Sequence, residues 1–327
     1  MKINILGWLS RQNIGDEAFK DAHRHIFLGH DLEFFAPPCT VPDSDLFVLG
    51  GGAVISPYYL KSLPSNTPKY ILGASIEYAS EMDLLPQHKF KGIMIRNATD
   101  VPILQSKVEC PVTAMPDLAF LLSPSEHSIK LEPKKKKLGV MVTDYINPAL
   151  NRPANKFAQR SFNFIQTLAK QLDDFIRQGW DVYLIPFSTG GYGNDLRINL
   201  DIMAFMEKQP INIMQTLAPM EAIALLRDMD LNMCMKFHAH VFSIIAGTPF
   251  LSIDLTRKVD LLLSENNLTE LKAGSFKGDE FNCTIPEVKE IALNGNYQDK
   301  FKLIRKDKIK ELNNIISIIH RDWLKNA

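Results

Sequence analysis

Lys236, His238 and His240 occupy alternate positions in an otherwise apolar run, Met233-Cys-Met-Lys-Phe-His-Ala-His-Val-Phe-Ser-Ile-Ile-Ala-Gly-Thr-Pro249. An ammonium beside an imidazole suits an anionic substrate: lysine brings a permanent charge, histidine a proton it can give up near neutral pH. Val241, Phe242, Ile244 and Ile245 predict a buried helix that Gly247-Thr248-Pro249 stops. The basic residues then fall at a helix N-terminus, where unpaired backbone N–H groups and the dipole favour an anion. Beyond the turn, Phe250 to Leu255 reads as a short buried strand. It ends in Thr256-Arg257-Lys258, so a second basic pair emerges at a strand's carboxyl end. Of the two histidines, either can simply satisfy a buried hydrogen bond.

A second group lies near the start, in Gln12-Asn13-Ile14-Gly15-Asp16-Glu17. Gly15 allows close backbone approach, and Asp16 and Glu17 stand in the first turn of a predicted helix over 16–27. There they serve as cap and dipole partner, or reach a substrate hydroxyl. Gly50-Gly51-Gly52 follows the predicted strand 45–49 and marks a place where backbone meets a ligand or a packed helix. Neither a G-x-G-x-x-G pattern nor a Walker lysine accompanies it, which removes the dinucleotide and nucleoside triphosphate fingerprints. Arg96 closes another strand, and Asp117 reads as the brace of a turn. The loop Ser188-Thr-Gly-Gly-Tyr-Gly-Asn-Asp195 again follows a strand.

The elements that must position these residues alternate. Predicted strands at 2–8, 45–49, 70–76, 92–96 and 112–115 carry their special residues at the carboxyl end, as an open parallel sheet with a ligand crevice requires. A polar stretch with Pro124, Pro133 and the solvated run Lys134 to Lys137 interrupts the pattern, which resumes with strands at 138–142 and 180–186 around a long helix over 156–178. The expectation is an α/β protein of two Rossmann-like domains with parallel sheets facing a cleft. These are an N-terminal domain over 1–125, a linker over 126–137 and a C-terminal domain over 138–327. Leu312, Ile315, Ile316, Ile319 and Trp323 recur at helical spacing, so the second domain is expected to close with an amphipathic helix.

Composition narrows the class. The 327 residues suffice for two domains, and 37 basic against 37 acidic residues leave no global field for nucleic acid or anionic lipid. The four cysteines lack C-x-x-C spacing, which fits a reducing cytoplasm and neither a disulfide framework nor zinc. The acids do not cluster in sequence, and no metal is expected. No apolar run approaches the roughly 18 residues of a membrane span, and Met1 to Gly7 is too short for a signal peptide.

Taken in order, Asn13-Ile-Gly-Asp-Glu-Ala18, Asp45 to Gly52, Arg96, Pro116-Asp117-Leu-Ala-Phe120, Lys236-Phe-His238, Gly247-Thr-Pro249 and Lys258-Val259 resemble the polysaccharide pyruvyl transferase family over about residues 3 to 260. The resemblance implies a two-domain fold similar to the B-type glycosyltransferases. It implies transfer of the enolpyruvyl carbon of phosphoenolpyruvate to a sugar of a glycan, forming a pyruvate ketal and releasing phosphate, with no other cofactor. Lys236, His238 and Lys258 become the expected donor-binding residues and His238 the general acid. Asn13, Asp16, Glu17 and Gly51 become the acceptor side, with Asp16 as base, and His240 stays structural. Two positions depart from the family's pattern. Its typical Arg-Leu-His is here Lys236-Phe-His238, which keeps charge but loses the bidentate fork. Thr143-Asp144 stands where another donor-binding arginine is expected, with Arg152, Lys156, Arg257 and Lys258 as possible substitutes. A nucleotide-sugar glycosyltransferase, with Lys236 on the diphosphate, and a glycan-binding member without catalysis are the competing readings.

Overall fold

The computed structural model describes residues 1–76, 78–126, 131, 135–143, 154–190, 193–253, 256–277 and 280–324, without the side chains of 154–160 and 277. Asp144 and Arg152 lie outside the described residues, as does the Lys156 side chain. The chain forms two units: Met1–Arg11, Asp16–Leu122 and Lys306–Ala327 make the first, Gln12–Gly15 and Ser123–Arg305 the second.

In the first unit, β1 (Lys2–Leu6) leads to α1 (Ile14–Ile26), β2 (Asp31–Phe35), β3 (Leu46–Gly52), the short α2 (Pro57–Leu60), β4 (Lys69–Ala74), β5 (Gly92–Ile95), α3 (Val101–Gln105) and β6 (Val112–Ala114). All six strands are parallel, in the order β2-β1-β3-β4-β5-β6. Ile3, Ile5, Leu6 and the whole of β3 are buried, the near-continuous apolar pattern of strands covered on both faces. The order of strands reverses direction between β1 and β3, so their carboxyl ends form the topological switch point of this sheet.

The second unit runs β7 (Lys137–Met141), α4 (Ala154–Arg177), β8 (Asp181–Leu184), α5 (Asp195–Phe205), β9 (Ile211–Asn212), α6 (Pro219–Arg227), β10 (Leu231–Cys234), α7 (Phe237–Ala246), β11 (Phe250–Ile253), α8 (Arg257–Glu265), β12 (Lys272–Lys277), β13 (Glu280–Cys283), α9 (Ile285–Asn294) and the start of α10 (Tyr297–Ile318). Its order is β13-β12-β11-β10-β7-β8-β9, with only the β12–β13 hairpin antiparallel. Here the switch point lies between β7 and β10.

The tail differs from the sequence expectation, which gave all of it to the C-terminal domain. Phe301, early in α10, stacks on Phe250 of the second unit at 5.4 Å. Residues from Lys306 onward group with the first unit: the Trp323 indole stacks on Tyr70 at 4.2 Å, and the His320 ring donates to the Ile26 carbonyl. Trp323 needs a broad apolar partner, and the Tyr70 ring supplies it.

Candidate functional site

The residues expected to bind a donor sit at the switch point of the second unit. β10 delivers Met233-Cys-Met, and Lys236 is the N-cap of α7, with extended backbone at φ −84° and ψ 143°. The Lys236 side chain makes no capping hydrogen bond to this end, and a helix N-terminus favours an anion through its dipole. The helix ends where expected, at Gly247 in the left-handed region at φ 76°. Thr143, two residues beyond the end of the neighbouring β7, donates its backbone N–H to the Met235 sulfur at 3.5 Å.

Lys236 is a tethered cation. Its ammonium lies 2.6 Å from the Asp195 carboxylate, the lysine side chain 18% exposed and the aspartate 1%. Asp195 is the first residue of α5, and its Oδ2 also accepts the backbone N–H groups of Phe187 at 2.9 Å and Ser188 at 2.7 Å. A carboxylate so far from water requires this company, because a buried charge is stable only when paired and hydrogen-bonded.

His238 stands in the first turn of α7, half-buried, its ring edge-on to Phe237 at 5.2 Å and tilted against Phe242 at 6.2 Å. Gly15 lies directly against it: a Cβ there would come within 2.0 Å of the His238 Nδ1. The turn that carries Gly15 is fixed to the second unit by its backbone, with Ile14 donating to the Phe187 carbonyl at 2.8 Å and Thr189 to that of Gln12 at 3.0 Å. Asn13 forms an isolated antiparallel bridge with Ser188, and its Oδ1 accepts the Gly15 N–H at 3.1 Å.

His240 is structural, as expected. It is fully buried, its Nδ1 donating to the Lys236 carbonyl at 2.8 Å and its Nε2 accepting from the Ser252 hydroxyl at 2.8 Å. Burial lowers its pKa to about 4, only partly offset by the bond to the Lys236 carbonyl, so the ring is neutral at pH 7. Lys258 is half-buried in the first turn of α8, which packs alongside α7, while Arg257 beside it is exposed.

At the switch point of the first unit, α1 presses on the end of β3. A Cβ on Gly50 would lie 2.6 Å from the His23 Nε2, and one on Gly51 2.3 Å from the Phe19 ring. Phe19 and His23 sit one turn apart on α1, so the glycines admit a packed helix, the second of the two alternatives the sequence left open. Gly52, at φ +76°, lies beneath Asp16, whose Oδ1 would be 3.1 Å from an added Cβ. Asp16 also faces Tyr59, a phenol pushed well up by burial and then by the charge of Asp16.

Other expected acceptor residues have structural occupations. Glu17 accepts the Ser10 N–H and pairs with Lys20 at 2.6 Å. Gly51 packs on Phe19, and Asn13 closes its own turn. Asp117 caps the turn over Leu118–Leu121 through the Ala119 N–H and forms a buried pair with Arg96, which also donates to the Ser75 hydroxyl.

Asp195 is the residue that the sequence did not single out. Its neighbour Asn194 was a legible N-cap, and its Oδ1 does accept the Leu196 N–H at 3.0 Å. The ion pair, by contrast, spans 41 positions. Among the described residues no group of three or more His, Cys, Asp or Glu could hold a metal, and no helix is long and apolar enough to cross a membrane. A cavity of about 460 Å³ lined by Trp180, Asp230, Pro249 and Lys289 opens at the amino ends of the second sheet, away from Lys236. Ligands of such sheets bind at the carboxyl ends, and this cavity is given no part in the chemistry.

The two units and their parallel sheets describe the α/β fold seen in B-type glycosyltransferases. The chain belongs to the polysaccharide pyruvyl transferase family, whose profile matches residues 4–256. No curated protein matches it in sequence at a significant level. Among solved structures, it is similar to the UDP co-structure of MnaA from S. aureus at TM-score 0.60 and 8% identity, over 92% of this chain and 90% of that one. It is similar to the kitacinnamycin glycotransferase at TM-score 0.53 and 9% identity, over 98% of each chain. Against the Glycosylation Associate Protein (Gap123) complex from Streptococcus agalactiae it covers 86% of its own length and 55% of that chain, at 11% identity and TM-score 0.45. At these identities the likeness concerns the fold.

Proposed function

We propose that the protein transfers the enolpyruvyl group of phosphoenolpyruvate to two hydroxyls of a glycan sugar, forming a pyruvate ketal and releasing phosphate. The observation that carries the reading is Lys236 at the N-cap of α7, two residues from His238, at the switch point of its sheet. Phosphoenolpyruvate bears a phosphate and a carboxylate, and an ammonium beside a helix N-terminus suits both. Lys258 is the second donor cation in this reading.

The chemistry balances with one acid and one base. His238 protonates C3 of the donor, which leaves positive charge on C2. A sugar hydroxyl attacks C2 and gives its proton to Asp16. Phosphate departs with the C2–O bond electrons, and the second hydroxyl closes the ketal. Of the two hydroxyl protons released, one restores the acid and the other leaves with hydrogen phosphate.

Thermal unfolding with phosphoenolpyruvate tests the donor without any acceptor. At a hundred times the dissociation constant the ligand adds about 2.7 kcal/mol and raises the melting point by several degrees. Lys236→Ala is expected to abolish the shift, whereas His238→Ala keeps much of it and loses turnover. A shift with a uridine or guanosine diphosphate in place of phosphoenolpyruvate would move the assignment to glycosyl transfer. Glycan binding without either would mark a member that lacks catalysis.

A further inference from the structure

We propose that Asp195 is the positioning residue of the donor site, holding both Lys236 and the surface on which His238 rests. The inference depends on reading Lys236 as the donor cation. One carboxylate oxygen does three things: it accepts from the Lys236 ammonium and from the N–H groups of Phe187 and Ser188. Through those two residues it reaches further. The Phe187 carbonyl takes the Ile14 N–H, and Ser188 bridges Asn13, which fixes the turn whose Gly15 lies against the His238 ring.

A local role does not explain this carboxylate. The N-cap of α5 is Asn194, so the helix needs no acid side chain folded back on the preceding loop. An asparagine could accept the two backbone N–H groups as well; only the ammonium requires an anion. At 1% exposure the Asp195 carboxylate requires the pair, since without Lys236 its charge would be left uncompensated away from water. Held at 2.6 Å, the Lys236 ammonium has one location relative to the α7 terminus rather than the many rotamers of a free lysine.

The test compares Asp195→Asn, Lys236→Met and the double variant in the full chain. Asp195→Asn is expected to fold and to raise the phosphoenolpyruvate dissociation constant roughly tenfold or more. Lys236→Met alone is expected to bind the donor more weakly than the double variant, because it leaves a bare carboxylate facing an anionic ligand. A readout without ligand accompanies these: reductive methylation followed by peptide mass spectrometry, in which Lys236 reacts faster in Asp195→Asn than in wild type. Wild-type donor affinity in Asp195→Asn, losses that simply add in the double variant, or unchanged Lys236 labelling would each overturn the proposal. Should wild type fail to bind phosphoenolpyruvate, the donor reading falls, and the labelling result decides alone whether Asp195 positions Lys236.

Discussion

Gly15 shows how little room the candidate acid has. A methyl group there would stand 2.0 Å from the His238 Nδ1, with Ile14 and Asn13 holding the turn from behind. Gly15→Ala is therefore expected to displace the imidazole and reduce transfer on the order of a hundredfold while donor binding persists. Single-turnover rates beside phosphoenolpyruvate titrations measure this, and an unaffected rate would remove His238 as the proton donor. At this scale the sequence was legible where the candidate residues are neighbours in the chain. Lys236 and His238 announce themselves because they stand two residues apart at a predicted helix start. Asp195 was illegible because its partner is distant in sequence and because α5 lacked a strong apolar signal ahead of it.

Among elements, α1 and β3 are fitted to each other through residues that have no side chain. Gly51, at φ +76° and 2.3 Å from Phe19 by its absent Cβ, is the tightest point. Gly51→Ala is expected to destabilise by about 2 kcal/mol or more, and adding Phe19→Ala should cost less than the sum of the two singles. Urea unfolding of the three variants checks both statements. Strands β1, β3, β4, β5, β6, β7, β8 and β11 were readable as apolar runs, as was the α7 stop at Gly247. The strands missed lie at or next to sheet edges: β2, β9 and the β12–β13 hairpin. An edge strand is covered less completely, so its sequence mixes polar with apolar residues; β2, Asp-Leu-Glu-Phe-Phe, has no fully buried position.

For the molecule as a whole, two buried histidines set its response to acid. His23 in the first unit and His240 in the second both have pKa values lowered to about 4 by burial, against 6.5 in an unfolded chain. Between those values the unfolded chain binds more protons, so this contribution to stability is whole above pH 6.5 and falls as pH drops towards 4. The loss should be on the order of 3 kcal/mol for each histidine. Urea unfolding from pH 7 to 4 measures it, and His240→Gln, though less stable at pH 7, should show the shallower decline.

The chain order does not follow the division into units. Residues 12–15 come before nearly all of the first unit yet belong to the second, and residues 306–327 follow the second yet belong to the first. A fragment of 123–305 would lack the Asn13 bridge to Ser188 and the glycine beneath His238, and one of 1–122 would lack the Trp323 stack on Tyr70. Neither unit is one continuous stretch of chain, so a single cut cannot release either of them as a module, and simple exchange of gene segments cannot recombine them. Each unit has to vary by substitution, with the whole chain inherited as one piece.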